Sequence, residues 1–213
     1  MPDTSPIKIL VTDDHAVLRE GIMRILATRL ANVAFGEASN ATEALEKVWA
    51  EKWDLILLDI TMPGRSGLDI LQQLRQAQPD TPILVLSMHS EDQFAVRVLR
   101  AGAAGYLTKN SDPSEFIAAV QKILSGGHYI SASLGEMLAA SLRNNSQPPQ
   151  ELLSDREFQV MRMIASGKTL KEISAELSLS VKTISTYRTR ILDKMGMRTN
   201  AELMHYAIEH GLA

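Results

Sequence analysis

Ile7-Lys-Ile-Leu-Val-Thr-Asp-Asp14 and Leu55-Ile-Leu-Leu-Asp59 decide the fold. Each is a short apolar run that ends in acid. A strand apolar on both sides of its pleat is buried on both faces, which is how strands of a parallel sheet read. In an open α/β sheet, ligands bind beyond the carboxyl ends of the strands, where the strand order reverses. Asp13, Asp14 and Asp59 gathered at such a place repel one another strongly unless a cation sits among them. The spacing therefore points to a pocket of carboxylates that holds Mg2+.

Outward from these two runs, the first 125 residues alternate strand and helix signals. Strands are expected at 7–12, 33–37, 54–58, 83–87 and 105–107, with helices at 16–30, 40–51, 67–77, 91–101 and 113–125. Asn40 with Glu43 makes a capping box, and Asp112-Pro113-Ser114-Glu115 sets an N-cap, a first-turn Pro and an acid in order. Five such units imply a flavodoxin-like α/β sheet in the order 2-1-3-4-5, whose switch point lies between the two acid-bearing strands. After Gly126-Gly127 the alternation stops. His128–Arg143 reads as a short helix, and Asn144-Asn-Ser-Gln-Pro-Pro-Gln150 is turn-rich. From Ser154 onward the pattern is all-α, with helices expected at 155–166, 170–177, 181–195 and 200–210. Ser154/Glu157, Thr169/Glu172 and Thr199/Glu202 have capping-box spacing. The short break Ser178-Leu-Ser180 is helix-turn-helix spacing.

Composition narrows the classes. With 213 residues, 45% hydrophobic and 22% charged, the chain reads as an ordinary globular protein of one or two domains. It has no apolar run of about eighteen residues, so no membrane span is expected, and its start does not read as a signal peptide. Absence of cysteine excludes disulfides, iron–sulfur clusters and thiolate zinc sites. A cytoplasmic location is expected. Residues 1–149 carry net −4 and residues 150–213 net +1, with Lys182, Arg188, Arg190, Lys194 and Arg198 set against Asp193 alone in one stretch. A solvated helix face gives such a cluster as readily as a nucleic-acid surface does.

The acids suit Mg2+, which takes oxygen ligands. With Asp13 and Asp14 as ligands, Asp59 is either a third ligand or a nucleophile toward a phosphoryl group whose charge the metal offsets. Ser87 closes the fourth strand and offers a hydroxyl; Lys109 follows the fifth and offers a point charge. An Asp after a strand often serves only to cap a helix, and a lone Lys is usually solvated. The coincidence of five such groups at strand ends is what marks a site.

Val11-Thr-Asp-Asp14, Leu57-Leu-Asp-Ile-Thr-Met-Pro-Gly64, Val85-Leu-Ser87 and Gly105-Tyr-Leu-Thr-Lys109 resemble the receiver domain of two-component response regulators over residues 7–125. The resemblance implies that Asp59 accepts phosphate from a sensor histidine kinase. It implies that Asp13, Asp14 and the backbone carbonyl of Thr61 coordinate Mg2+ together with Asp59, and that Ser87 and Lys109 read the acyl phosphate. It also makes Tyr106 the switch aromatic, which fills the space Ser87 vacates. One departure is Asn110 after the lysine, where many receivers have Pro, so the isomer of that peptide bond is open.

In the C-terminal region, Ile184, Ile191, Leu192 and Met195 form one buried stripe on the 181–195 helix. That leaves Lys182, Ser185, Thr186, Arg188, Thr189 and Arg190 for a major groove. Leu153-Ser-Asp-Arg-Glu157, Ala165-Ser-Gly167, Lys171-Glu-Ile-Ser174 and Val181-Lys-Thr183 with Lys194-Met resemble the NarL/FixJ, or LuxR-type, helix-turn-helix domain. The resemblance implies base contacts from Ser185, Thr186 and Thr189. Lys182, Thr183, Arg188 and Lys194 would hold phosphates, with dimers on paired half-sites of a double-stranded operator. The expected organisation is a receiver over 1–125, a linker over 126–149 and a DNA-binding domain over 150–213. Together these imply a transcription regulator, forming a homodimer when phosphorylated, whose only chemistry is on its own Asp59. Two rivals are an Mg2+-dependent phosphohydrolase of the haloacid-dehalogenase type, whose paired Asp pattern Asp59-Ile-Thr61 lacks, and a regulator controlled by a protein partner without phosphorylation.

Overall fold

A computed structural model describes residues 5–60, 62, 67–88, 91–143 and 149–212. The chain forms two compact units, Met1–Ala140 and Ser141–Ala213. In the first, β1 (Ile7–Thr12), β2 (Val33–Ala38), β3 (Leu55–Asp59), β4 (Ile83–Ser87) and β5 (Gly105–Thr108) alternate with five helices. These are α1 (Ala16–Ala27), α2 (Ala41–Ala50), α3 (Gly67–Ala77), α4 (Glu91–Arg100) and α5 (Pro113–Leu124). The sheet is parallel in the order β2-β1-β3-β4-β5, as the continuous apolar runs require. Ile9, Val11, Leu55, Leu57, Leu84, Leu86 and Leu107 pack with Ile22 and Leu26 of α1 and with Phe116, Ala119, Val120 and Ile123 of α5. The alternate residues Leu10, Ile56, Leu58, Ile83, Val85 and Tyr106 are equally buried on the other face. The caps fall where the sequence puts them. Asn40 accepts from the Glu43 amide and Asp112 from the Ser114 amide, with Pro113 in the first turn. The Glu43 carboxylate reaches the Ser39 amide rather than that of Asn40.

One close approach depends on a missing side chain. A Cβ on Gly36 of β2 would lie 2.2 Å from Cη2 of Trp53. Trp53 is buried, and its indole N–H donates to the Lys47 carbonyl at 3.2 Å. A glycine in a strand is used here to let an aromatic ring lie against the backbone.

The segment after α5 differs from the expected helix over 128–143. The helix, α6, spans Ala132–Arg143. Ahead of it, Tyr129 forms a parallel bridge with Gly105, its amide donating to the Ala104 carbonyl at 2.9 Å. Its hydroxyl donates to Glu115 Oε1 at 2.7 Å. A Cβ at Gly105 would lie 2.9 Å from the Tyr129 carbonyl oxygen, so the bridge needs a glycine in β5. A one-residue pairing leaves no alternating pattern, which is why periodicity reads through it.

The second unit has a 3-10 turn (Pro149–Leu152) and four helices: α7 (Asp155–Ala165), α8 (Leu170–Glu176), α9 (Val181–Met195) and α10 (Asn200–Glu209). Ser154 with Glu157 and Thr169 with Glu172 form complete capping boxes. Thr199 caps α10, but the Glu202 carboxylate turns to the Arg198 amide instead of that of Thr199. The α8–α9 turn carries Ser178 at φ +52. The Ser174 hydroxyl donates to the Leu179 carbonyl at 2.7 Å and ties the turn back to α8. Glu157, although the third residue of α7, is buried and accepts from Lys194 Nζ at 2.6 Å. Burial acts to raise the Glu157 carboxyl, but the bonds from Lys194 and Ser154 outweigh it and hold the group below the usual carboxylate range.

Candidate functional site

The β-ladder ends bring the predicted acids together. Thr12 pairs with Leu58, Asp59 with Leu86 and Ser87 with Thr108, so Asp13, Asp59, Ser87 and Lys109 all sit at one end of the sheet. Asp59 and Ser87 are fully buried and Asp13 is 1% exposed, while Asp14 faces solvent. Lys109, its side chain 4% exposed, places Nζ 2.6 Å from Asp59 Oδ2 and 2.7 Å from Asp13 Oδ2. The cation that the gathered acids demand is thus supplied by the chain itself. Desolvation acts to lower the Lys109 pKa, but the hydrogen bonds and charges of Asp13 and Asp59 prevail and hold it raised. The Lys109 amide donates to the Ser87 carbonyl at 2.7 Å, extending the ladder to the lysine. No cis peptide occurs among the described residues, so the Lys109–Asn110 bond is trans. Thr61, expected to offer a carbonyl to the metal, lies outside the described residues.

Two neighbours escaped the sequence reading. His15, at the N-cap of α1, sets Nδ1 2.8 Å from Asp14 Oδ1 and 3.2 Å from Asp13 Oδ1. Arg19, one turn on, donates to the Asp13 carbonyl at 2.7 Å and to Glu37 Oε2 at 3.0 Å, fixing the β1–α1 loop. Only the spacing of His15 and Arg19 after the acid pair hinted at either.

The donor set fits a hard divalent cation. Oxygens of Asp13, Asp14 and Asp59 and a nitrogen of His15 lie within 4.8 Å of one another. Among the described residues the buried Asp13 Oδ2 has the Lys109 ammonium, at 2.7 Å, as its one partner. Carboxylates with an open, solvent-facing side suit Mg2+, which keeps several of its waters. Tyr106, fully buried, is paired with Val85, two residues before Ser87, so the aromatic ring and the hydroxyl share one face of adjacent strands.

In the second unit α9 buries Ile184, Ile191, Leu192 and Met195, the stripe expected from sequence. Lys182, Ser185, Thr186, Thr189 and Arg190 are exposed. Ser180 caps the helix by accepting from the Thr183 amide at 3.1 Å. The Thr186 and Thr189 hydroxyls donate to the carbonyls of Lys182 and Ser185. Arg188 is held by Asn200, its Nε donating at 2.6 Å, and Lys194 by Glu157. Both of these cations are therefore tied within the unit, whereas Lys182 at the first turn is exposed.

The family model for the response regulator receiver domain matches residues 9–121, and that for bacterial regulatory proteins of the luxR family matches residues 151–207. The chain belongs to the response regulators. This response regulator is 37% identical over 208 residues to response regulator UvrY of Escherichia coli K12, covering 97% of this chain and 95% of that one. It is 38% identical over 208 residues to response regulator GacA of Pseudomonas aeruginosa, covering 97% of both. Among solved structures it resembles a LuxR-family two-component response regulator from Aurantimonas, with TM-score 0.59 and 33% identity over 66% of this chain and all of that one. It shares its fold with the RcsB response regulator of Salmonella typhimurium, with TM-score 0.67 at 22% identity over 97% of this chain and 98% of that one. The regulator is therefore a two-component transcription regulator with a receiver and a LuxR-type helix-turn-helix. Among the described residues no helix is long and apolar enough to cross a membrane.

Proposed function

We propose that Asp59 of this regulator accepts a phosphoryl group from a sensor histidine kinase and that the acyl phosphate controls DNA binding by α9. The carrying observation is the placement of a fully buried Asp59 carboxylate against the Lys109 ammonium, with Asp13 and Asp14 beside it. Asp13, Asp14, Asp59 and the Thr61 carbonyl would hold Mg2+, which when bound would supply charge neutralisation as two anions approach. The Asp59 oxygen forms the new O–P bond as the P–N bond to the kinase imidazole breaks, the electron pair staying on that nitrogen. Lys109 is already in place to pair with a phosphoryl oxygen. Ser87 donates its hydroxyl to another, and Tyr106, on the same face, follows into the space released. Later loss of phosphate to water resets the site, so the only reaction is on the protein itself.

The working division is a receiver over 1–125, a linker over 126–149 and a DNA-binding domain over 150–213. The protein acts in the cytoplasm on a double-stranded operator, as a homodimer once phosphorylated. RcsB has been solved in complex with DNA and as two dimers on two parallel DNAs. For this chain the DNA reading rests on the exposed face of α9. Ser185, Thr186 and Thr189 meet base edges, while Lys182, Thr183, Arg188 and Lys194 approach phosphates. Arg188 and Lys194 exchange their present partners for phosphates on docking.

Two measurements test this. With Mg2+ and a small phosphodonor, the wild-type chain shifts on a phosphate-retarding gel and elutes as a larger species, and Asp59→Asn does neither. An unshifted wild type that is folded and binds Mg2+ would point to control by a protein partner. For DNA, Lys182→Ala weakens binding to all duplex sequences alike and lowers the slope of log affinity against log salt by about one phosphate contact. An unchanged slope removes Lys182 from the interface.

A further inference from the structure

His15 is unlike the rest of the pocket because it brings nitrogen. Its imidazole is 69% exposed, makes no cap bond to α1, and yet turns Nδ1 back onto the acids. Lys109 occupies the Oδ2 edge of Asp13 and Asp59. Asp13 Oδ1, Asp14 Oδ1 and His15 Nδ1 make a separate edge, on which Asp14 and His15 face solvent while the buried Asp13 Oδ1 also accepts from the His15 amide at 2.8 Å. Nδ1 lies 3.2 Å and 2.8 Å from the two oxygens. Neighbouring ligand atoms on an octahedron with bonds of about 2.1 Å stand about 3.0 Å apart, so both separations match edges of one coordination shell. A protonated imidazole neutralising two carboxylates would give similar distances, and the two cases differ in what the site binds.

Resting on the reading of this pocket as a divalent-cation site, we propose that His15 Nδ1 is a ligand of the bound ion. The site is then a mixed carboxylate–imidazole centre, in which divalent transition ions compete with Mg2+ far better than in an all-oxygen receiver pocket. Mg2+ takes carboxylate, carbonyl and water oxygens, whereas imidazole favours later first-row ions such as Co2+. His15 thus acts as the residue that sets metal preference, and Asp13 and Asp14 supply affinity common to all the ions.

The test uses the full-length chain with Mn2+ as the probe. Pulsed electron paramagnetic resonance of the Mn2+-loaded wild type shows coupling to one imidazole nitrogen, and His15→Ala removes it. Displacement of the same Mn2+ signal gives relative affinities for Co2+ and Mg2+. The Co2+ to Mg2+ preference falls about tenfold or more in His15→Ala, the scale on which perturbing a metal centre changes its affinity. His15 is exposed and supports no cap, so this variant retains the fold. Mn2+ bound with oxygen ligands alone, or an unchanged Co2+ to Mg2+ preference in the variant, overturns the inference while leaving the pocket intact. Failure of wild type to bind either ion overturns the pocket reading as well.

Discussion

Lys109→Met lowers the unfolding free energy of the N-terminal unit by about 3 kcal/mol at neutral pH without divalent cation, and millimolar Mg2+ recovers part of the loss. Removing one partner from a buried ion pair leaves the other charges uncompensated, which typically costs about 3–5 kcal/mol. The side chain of Lys109 is 4% exposed and faces two carboxylates that are themselves buried, so water cannot take over its role. The lower end of that range applies because Asp14 and the open edge of the pocket admit solvent. The pH dependence has a definite sign. A lysine whose pKa is raised in the folded state contributes stability that is complete below its ordinary pKa and is lost only as pH climbs through the raised value. The wild-type contribution is therefore flat through neutrality and fades in strong alkali. Both tryptophans, Trp49 and Trp53, lie in the N-terminal unit, so urea titration followed by their fluorescence reads this unit within the whole chain. A loss below about 1 kcal/mol, the scale of an exposed pair, would mean that the lysine is not what neutralises the acids.

Gly36→Val destabilises the same unit by about 3 kcal/mol or more, at the top of the range for overpacking a core. Even the first carbon of the new side chain would lie 2.2 Å from Trp53 Cη2. The ring cannot swing away freely, because its N–H is held by the Lys47 carbonyl and its backbone amide by Gln78 Oε1. Either the indole leaves its buried site or β2 moves off β1, and both lose packed apolar area. Shortening the ring separates the two causes. With Trp53→Leu in the background, the same Gly36→Val change costs less than half as much, since residues in contact do not add independently. An equal cost in both backgrounds would place the strain in the backbone instead.

The sheet was legible because burial on both faces leaves continuous apolar runs, and two acids at adjacent strand ends then locate the switch point. The same logic gave the buried stripe of α9, where four apolar residues recur at helical spacing. What escaped depends on groups that meet only in three dimensions. Lys109 reads as a group waiting for phosphate, and its present work of neutralising Asp13 and Asp59 needs the sheet order and the ladder beyond Ser87. His15 follows two acids in sequence, yet only the turn into α1 brings its ring back onto their carboxylates. Arg188 and Lys194 count as free cations along the chain, but Asn200 and Glu157 arrive from other helices. Charge is visible in a sequence, and its partners are not.

The Tyr129 bridge bears on how such a protein can be taken apart and recombined. Helix α5 ends at Leu124, but the chain returns to the sheet at Tyr129, whose amide donates to the Ala104 carbonyl. A chain severed after Leu124 bares the outer edge of β5 beside Gly105 and strips Glu115 of its phenol. Bare edges invite pairing between molecules. A seam beyond residue 131 leaves the edge covered, so the segment from Gly126 to Ser131 travels with the sheet rather than with whatever domain follows it. Exchange of output domains on this scaffold is free only on the far side of that tyrosine.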